Sequence, residues 1–382
     1  MRIKNAKIYN SYKKSFIRAD LSIESGKFEE ILYAGSRSGE AENIVVPGFI
    51  DIHSHGAAGV DMINSDCEEL VKMSEYYAKN GVTTLFLTTS SATHDTVMKM
   101  IEETKKAKEK AKINFAGIHL EGHYINKKRA GAHIPDLIKE PNLRELDDIL
   151  SATLDCGLKL HITIAPELCG AYEFIAAAAK KGATISLGHT EADGETIKKA
   201  LELGAKSFTH LFNAMSPIHH RDAGVAGHAL AGDAYVELIC DGIHLSPEVV
   251  RFTQKAKGGQ RIILVSDSIS AAGLPEGEYT LGAAKGVHVE NGKAFLKNAD
   301  GTQTIAGSTT NLYKELCNFM DFTGRSLEEA LPTVTKNPAE CVGIYDRKGS
   351  IETGKDADFV IMDKSDTINT IKEVYVKGER IV

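Results

Sequence analysis

The chain has 382 residues, 42% of them hydrophobic and 25% charged, a balance that predicts a globular protein with one large and one small domain or with two ordinary domains. Its formal net charge of −7 argues against nucleic acid or an anionic membrane surface as the main partner. The sequence has no apolar run of about 18 residues and no signal-peptide core, which argues against a membrane or secreted protein. The six cysteines are scattered without C-x-x-C spacing, which predicts reduced thiols in a cytoplasmic protein.

Short strands are predicted at both ends of the chain. Alternating apolar and polar residues mark them at 2–9, 16–23, 28–33, 354–362 and 371–376. Neither group is large enough to fold alone, and chain termini often lie close together. We therefore predict one small β-sandwich domain built from residues 1–46 and 347–382.

Between these ends, apolar strands alternate with helices. The eight predicted strands are residues 48–53, 83–87, 115–120, 160–164, 184–187, 207–211, 236–240 and 262–266. The six predicted helices are residues 67–80, 94–112, 142–156, 172–181, 191–203 and 247–257. This alternation favours an α/β domain of the (β/α)8 TIM-barrel kind over residues 47–346, with its site at the C-terminal strand ends. A doubly wound open sheet is the alternative, because residues 213–233 are mostly loop, although no G-x-G-x-x-G follows the first strand.

A hairpin and two helical stretches follow the eighth strand. The Asn291-Gly292 turn joins two alternating segments within residues 279–304. This hairpin either joins the small β domain or covers the site. Helices are predicted at about 308–323 and 326–336 before the last strands begin.

Chemically active side chains follow five of the eight predicted strands. His53 and His55 lie two residues apart on an extended segment, so their side chains point the same way. The other strand ends carry His119-Leu120-Glu121-Gly122-His123, Gly188-His189-Thr190, Thr209-His210-Leu211 and Ser266-Asp267-Ser268. Each alone is explained as a cap or a loop hydrogen bonder. Five together at one end of a barrel predict a metal site.

The predicted ligands indicate which chemistry that metal would support. Imidazoles with a carboxylate and no thiolate are typical of catalytic Zn²⁺, Fe²⁺, Co²⁺ or Mn²⁺ rather than of closed structural zinc. Such an ion lowers the pKa of bound water toward ~7. An aspartate beside that water can take its proton and pass it to a leaving amine, and Asp267 after the last strand is the predicted residue.

A series of motifs extends from the first barrel strand almost to the end of the chain. It comprises residues 47–56, His119-Leu120-Glu121-Gly122, residues 128–133, 165–167, 188–190 and 209–215, His219-His220-Arg221, Asp241-Gly242-Ile243-His244, and residues 266–268, 305–308 and 354–358. Together they resemble the amidohydrolase superfamily and, within it, the family that deacetylates N-acetylglucosamine 6-phosphate. The H-x-H pair is common to many amidohydrolases, whereas the combination of the later motifs is far more specific.

The resemblance implies a ligand set and catalytic residues. Glu121, His189 and His210 would hold one divalent ion, and the H-x-H histidines, His53 and His55, would hold a second that some members lack. Zn²⁺ is the favoured ion, with iron, cobalt or manganese as alternatives. Asp267 would be a further metal ligand and the general acid/base. The fifth histidine of the site, His133, would polarise the acetamide carbonyl or stabilise the oxyanion.

The resemblance also implies a site for a phosphorylated amino sugar. Asn213 and Ala214 would contact its phosphate, and Arg221 would pair with the phosphate from a neighbouring subunit, which implies a homodimer. His244 would contact the sugar. The rest of the pocket wall would be formed by Ala132, His133, Ile305, Ala306 and Gly307. Arginine has a planar fork of donors suited to phosphate, and His219-His220-Arg221 is a basic cluster in an acidic chain.

One position departs from the family pattern. The family usually has proline after the Gly of H-L-E-G, whereas this chain has His123 after Gly122. Proline would stiffen the loop, and a histidine there can touch substrate, bind a metal or face solvent. The sugar epimer, for instance N-acetylgalactosamine 6-phosphate, is therefore left open, as are the acyl group, the native metal and the number of ions.

Two alternatives to the deacetylase hypothesis remain. One is a hydrolase of cyclic amides or nucleobases, many of which use a carboxylated lysine on the fourth strand. Lys159 lies near the start of that strand, which is a poor position for a ligand at its C-terminal end. The other is a barrel that has lost catalysis and serves in assembly or regulation, against which the retained ligands and Asp267 argue.

Overall fold

The computed structural model describes residues 1–33, 43–298, 300–363 and 370–382. Its largest sheet has eight strands that pair in sequence order and in parallel, as expected for strands joined by helical crossovers. The strands are Phe49–Asp51, Val82–Thr88, Asn114–Tyr124, Lys159–Ile164, Thr184–Leu187, Ala205–Phe208, Tyr235–Leu238 and Ile262–Leu264. We call them barrel strands one to eight, and they confirm the predicted barrel architecture.

Hydrogen bonds draw the two edge strands of this sheet together. The N–H of Asp267, just after strand eight, donates to the carbonyl of His53, just after strand one, at 2.9 Å. The Asp51 carboxylate also accepts a 3.4 Å hydrogen bond from the N–H of Ser266. The sheet thus curves into a nearly closed barrel, which gathers the carboxyl ends of distant strands at one mouth.

Helices surround the barrel. The α-helices are Cys67–Lys79, His94–Lys108, Leu143–Asp155, Ala171–Lys180, Gly194–Glu202, Gly224–Ala231, Pro247–Lys257, Leu312–Thr323, Leu327–Ala330 and Lys336–Cys341, and the 3₁₀ helices are Lys127–Arg129, Pro135–Leu137 and Leu331–Val334. Local sequence sets where several begin: Asp66 forms a capping box with Glu69, and Ser246 caps a helix that has Pro247 in its first position. All six helices predicted within the barrel are confirmed.

Two helix predictions need correction. Residues 213–233 contain the helix Gly224–Ala231, which sequence analysis missed because its eight residues include two glycines and no side-chain cap. The helix predicted from 308 begins at Leu312, because Gln303–Ser308 is a strand and Asn311 is the N-cap.

The two ends of the chain form one separate sheet-rich region, as predicted, but its seven described strands pair in a single sheet where a β-sandwich was expected. Its strands, in spatial order, are Glu379–Arg380, Thr370–Val376, Phe359–Asp363, Ile44–Pro47, Arg2–Asn10, Ser15–Glu24 and Lys27–Tyr33. Ile44–Pro47 pairs with a strand from each end of the chain and leads directly into barrel strand one. The domain boundaries at residues 46 and 347 stay a prediction.

The predicted hairpin belongs to a four-stranded antiparallel sheet of its own. Its strands are Gly277–Leu281, Ala284–Glu290, Lys293–Lys297 and Gln303–Ser308. Ser308 N–H donates to the carbonyl of Asp267 at 2.7 Å, so the last strand lies against the barrel mouth. Of the two alternatives for the hairpin, the structure therefore favours the one in which it covers the site.

The six cysteines are all free. None of the helices in the described part of the chain combines the length and apolar composition needed to cross a bilayer.

Candidate active site

Glu121, near the end of barrel strand three, lies at the centre of the candidate site. One carboxylate oxygen, Oε2, is 3.3 Å from His53 Nε2 and 3.2 Å from His55 Nε2. The other, Oε1, is 3.3 Å from His189 Nε2 and 3.1 Å from His210 Nε2. All five side chains are buried. The structure thus brings together four histidines from three strand ends around one carboxylate.

These side chains form two ligand groups that share Glu121. The first group is His53, His55 and Glu121, and the second is Glu121, His189 and His210. Within each group the ligand atoms all lie within 4.8 Å of one another. Both groups match the residues named from the sequence as metal ligands.

A backbone contact prepares His189 for a metal. Its Nδ1 lies 2.6 Å from the carbonyl oxygen of Arg129, to which only an N–H can donate. The lone pair is therefore on Nε2, the atom that faces Glu121 and lies 3.0 Å from His210 Nε2. A histidine whose second nitrogen is fixed in this way is oriented as a metal ligand.

The backbone is strained where these side chains enter the barrel mouth. His189, His210 and Asp267 have φ values of 49°, 29° and 45°. Non-glycine residues rarely adopt such conformations, and the strain is held by the surrounding structure, often at functional sites. Each of these residues lies two or three positions after the end of a barrel strand, and its side chain points into the barrel mouth.

Burial and neighbouring charges shift the pKa values in opposite directions across the site. Burial would raise the pKa of Glu121, but His53 and the hydrogen-bonded rings around it hold that pKa well below its usual range. Against the same effect of burial, His53 and His55 lower the pKa of Asp267 to about 2. Burial, reinforced by His210, lowers the pKa of His189 to about 4, which keeps its ring neutral. Against the effect of burial, the carboxylates of Glu121 and Asp267 raise the pKa of His53 well above its usual value and that of His55 to about 9, so a divalent ion would displace the proton from these two rings. The ionised carboxylates and the neutral ring of His189 already have the form that such an ion requires.

The donor set fits a divalent metal ion. His53 Nε2 is buried and has no hydrogen-bond partner among the described residues, although Glu121 Oε2 and Asp267 Oδ1 each lie 3.3 Å away. A nitrogen lone pair and two carboxylate oxygens aimed at one another are reconciled by a cation between them. With nitrogen and oxygen donors and no thiolate, the set suits Zn²⁺, Fe²⁺, Co²⁺ or Mn²⁺.

Asp267 lies at the edge of the first ligand group. Its Oδ1 is 3.3 Å from His53 Nε2 and 3.2 Å from His55 Nε2. Its backbone is fixed on both sides, by the His53 carbonyl and by the N–H of Ser308. Asp267 also lines the cavity, so its carboxylate can reach a molecule bound there.

A cavity of about 360 Å³ opens onto these groups. Such a volume is suited to a small polar ligand. Of the predicted substrate-binding residues, seven line it: Ala132, His133, Asn213, Ala214, His244, Ile305 and Gly307. Lys128 and Arg129, which belong to the motif at residues 128–133 but were given no role, line it as well, as does Leu281.

Two lining histidines are held by side chains to which no role was assigned from the sequence. His133 Nδ1 lies 3.2 Å from Ser91 Oγ, and its Nε2 is 3.6 Å from Glu121 Oε2. His244 Nδ1 lies 2.7 Å from Asp241 Oδ2. Both rings therefore have one nitrogen anchored at the cavity wall.

Two predicted substrate residues do not line the cavity of this chain. Ala306 is buried behind the wall. Arg221 lies on an exposed turn, where its Nη1 is 2.8 Å from His220 Nε2. A single chain therefore does not bring Arg221 to the cavity.

The structure also locates His123 and Lys159. His123 is buried, and its Nδ1 lies 3.3 Å from the Glu121 carbonyl, so it does not face solvent. It is absent from the described ligand groups and from the described cavity lining. Lys159 is exposed at the first position of barrel strand four, far from the C-terminal strand ends. The carboxylated-lysine alternative therefore gains no support.

Glu237, a fully buried residue of barrel strand seven, was not predicted from the sequence. Its Oε2 lies 3.0 Å from His53 Nδ1, and its Oε1 lies 3.4 Å from His161 Nε2. The available signal was an acidic residue inside the apolar segment Tyr235–Leu238, because carboxylates are seldom fully buried unless they are paired.

Comparisons with known proteins place this geometry in a family. The amidohydrolase family profile matches residues 44–381. The N-acetylglucosamine-6-phosphate deacetylase of Bacillus subtilis strain 168 is 37% identical over 336 residues, which are 86% of this chain and 83% of that relative. The crystal structure of N-acetylglucosamine-6-phosphate deacetylase from Thermotoga maritima has a TM-score of 0.90 at 34% identity, covering 100% of this chain and 99% of that one. A mutant N-acetyl-D-glucosamine-6-phosphate deacetylase from Mycobacterium smegmatis, solved in complex with N-acetyl-D-glucosamine-6-phosphate, has a TM-score of 0.89 at 29% identity, with coverages of 100% and 99%.

Proposed function

The chain belongs to the amidohydrolase family of hydrolases, and from that premise we propose that it hydrolyses the acetamide of N-acetyl-D-glucosamine 6-phosphate to glucosamine 6-phosphate and acetate. The observation that carries the proposal is the convergence of both ligand groups and Asp267 on one cavity. The names of its relatives supply the substrate. The reaction belongs to amino-sugar breakdown and recycling.

The proposed reaction uses one water and one proton carrier. The water oxygen bonds to the acetamide carbon while Asp267 accepts a water proton on its carboxylate. As the C–N bond breaks, Asp267 delivers that proton to the sugar nitrogen, and acetate and the amine leave. The low pKa of Asp267 keeps its carboxylate ionised and ready to accept the proton at neutral pH.

We assign the metal positions to the two ligand groups. The second ligand group (Glu121, His189 and His210) would hold one divalent ion. The first ligand group (His53, His55 and Glu121) would hold another. Zn²⁺ is the first choice, with iron, cobalt or manganese as alternatives. When bound, a divalent ion polarises the carbonyl that is attacked and lowers the pKa of water.

The remaining residues bind and orient the substrate. His133, anchored by Ser91, would donate to the acetamide oxygen as negative charge develops there. Asn213 and Ala214 would contact the phosphate, and His244, anchored by Asp241, would contact the sugar. The wall would be completed by Ala132, Ile305 and Gly307, with Ala306 packed behind them.

We further propose a homodimer in which Arg221 reaches the partner's cavity. Its guanidinium lies on an exposed turn outside the cavity of its own chain. A planar fork of donors there would pair with a phosphate dianion across the interface. The cytoplasmic location expected from the cysteines stays a prediction.

The test combines elemental analysis with substrate comparison. We expect purified protein to contain divalent metal and to release acetate from N-acetylglucosamine 6-phosphate faster than from the galactosamine epimer or from unphosphorylated N-acetylglucosamine. Hydantoin, dihydroorotate and adenine should not react. Preference for the galactosamine epimer would change the sugar assignment, and hydrolysis of a cyclic amide or nucleobase instead would refute the proposal.

A further inference from the structure

Glu237 connects the two ligand groups from beneath. Its side chain lies inside the barrel and is 0% exposed. Oε2 is 3.0 Å from Nδ1 of His53, in the first group, and also accepts a 3.2 Å hydrogen bond from the backbone N–H of His210, in the second. Oε1 faces His161 Nε2 at 3.4 Å. One carboxylate therefore contacts a ring of one group and the backbone of the other.

The contact with His53 determines which of its nitrogens is free. A carboxylate only accepts hydrogen bonds, so His53 Nδ1 carries the hydrogen and donates it to Glu237. The ring is thereby oriented with Nε2 toward Glu121 and Asp267. His53 Nε2 is buried and has no hydrogen-bond partner among the described residues.

We propose that Glu237 is a positioning residue for metal binding, which holds the His53 ring so that the first ligand group can take a divalent cation. This inference rests on the metal-binding part of the proposed function. A carboxylate behind a ligating histidine fixes the ring and strengthens nitrogen donation, and losing such a partner costs about 10–100-fold in metal affinity.

The effect should differ between the two groups. Glu237 holds the ring of His53, but it touches the second group only through the backbone of His210. That backbone has a further anchor, because the N–H of Asn213 donates to the His210 carbonyl at 3.0 Å. The His189 ring is held by Arg129 instead. Loss of Glu237 should therefore weaken the first position and spare the second.

The experiment titrates metal-free protein with Co²⁺ alone and follows visible absorption, with elemental analysis for stoichiometry. A variant that combines His53→Asn with His55→Asn lacks the first position and shows which isotherm belongs to it. We expect Glu237→Met to weaken the first position by about 10–100-fold and to change the second by less than about threefold. Glu237→Gln, which keeps an acceptor oxygen, should fall between Glu237→Met and the unaltered protein.

Glu315 supplies matched controls. It is also 0% exposed, and its carboxylate contacts the N–H of Cys240 instead of a histidine. Glu315→Met and Glu315→Gln should leave both Co²⁺ affinities unchanged. Should Glu237→Met fail to fold, the comparison of Glu237→Gln with Glu315→Gln tests the same claim with isosteric side chains.

The outcomes separate this inference from the function on which it rests. Unchanged affinity at the first position in Glu237→Met, or equal losses at both positions, would overturn the positioning role while leaving the deacetylase proposal intact. A protein that binds one Co²⁺, unaffected by loss of both histidines, would overturn it as well. A protein that binds no Co²⁺ would defeat both proposals.

Discussion

Replacing Asp267 with asparagine tests the chemistry most directly, because the structure isolates the change to one carboxylate. The backbone of Asp267 is fixed by the His53 carbonyl at 2.9 Å and by the N–H of Ser308 at 2.7 Å, so the isosteric amide should occupy the same place. It cannot accept the proton from water. General acid–base catalysis contributes about 10²–10⁴-fold, equivalent to roughly 3–5 kcal/mol of activation free energy.

We therefore expect Asp267→Asn to lower kcat by about 10²–10⁴-fold with little change in KM, measured by acetate release. Metal bound by Glu121, His189 and His210 should remain, because Oδ1 of Asp267 lies beside His53 and His55 instead. Elemental analysis and thermal unfolding of the same sample exclude lost metal or misfolding as the cause. Activity within about tenfold of the unaltered protein, at normal metal content, would refute Asp267 as the proton carrier.

Three further substitutions test phosphate recognition, buried charge and the junction between the sheets. Arg221→Ala should raise KM for the phosphorylated substrate by about 10–100-fold, the range of a hydrogen bond to a charged group; an equal effect on unphosphorylated sugar would undo the phosphate role. Burial, and then Asp241, raise the pKa of Glu315 in the folded state well above its usual value. The Glu315 carboxyl therefore contributes its full stability below pH ~4.5, and this contribution is lost as the pH rises toward the folded-state pKa. Glu315→Gln mimics the protonated acid. The free energy of unfolding of this variant, relative to that of the unaltered protein, should therefore increase by about 1.4 kcal/mol per pH unit above pH ~4.5. A difference between the two free energies that stays constant from pH 5 to 8 would contradict this. Asp358 precedes strand Phe359–Asp363, and its Oδ2 lies 2.5 Å from Lys348 Nζ and accepts a 2.9 Å hydrogen bond from Asn114 of barrel strand three. Asp358→Asn should lower the free energy of unfolding in urea by about 2–3 kcal/mol, less than the ~3–5 kcal/mol of a fully broken buried pair, because Lys348 keeps Asp356 at 3.1 Å; a change below ~0.5 kcal/mol would contradict it.

The barrel and the convergence of its strand-end histidines and acids were predictable from local patterns, whereas the assignment of particular residues as metal ligands came from the family resemblance. Each barrel strand is a short apolar segment, and period-2 geometry places His53 and His55 on one side. Parallel strands of a barrel end at the same mouth, so Glu121, His189 and His210 had to meet once the strand count was right. Nothing in this step required knowledge of side-chain contacts.

Residues that act through other residues were not predictable in the same way. Glu237, Ser91 and Asp241 lie 184, 42 and 3 residues from the histidines that they anchor, and only the folded contacts identify those pairs. Helix Gly224–Ala231 was missed because glycine obscured its periodicity. The position of the hairpin was left open because its turn specifies only local pairing and does not specify which surface its sheet covers.

Local charge, and not the net charge of −7, decides which small molecules this chain can hold. The buried part of the cavity lining carries the carboxylates of Glu121 and Asp267, which attract a cation, whereas its exposed part carries Lys128, which attracts an anion. Arg129 lines the cavity as well, but its Nε is paired with Glu191 Oε1 at 3.0 Å. A substrate with its amide at one end and a phosphate at the other matches this separation of charge. An uncharged sugar of the same size would use the buried part of the lining alone and would leave Lys128 without an anion to contact. The separation therefore favours the phosphorylated amino sugar over the free sugar as the substrate, independently of Arg221.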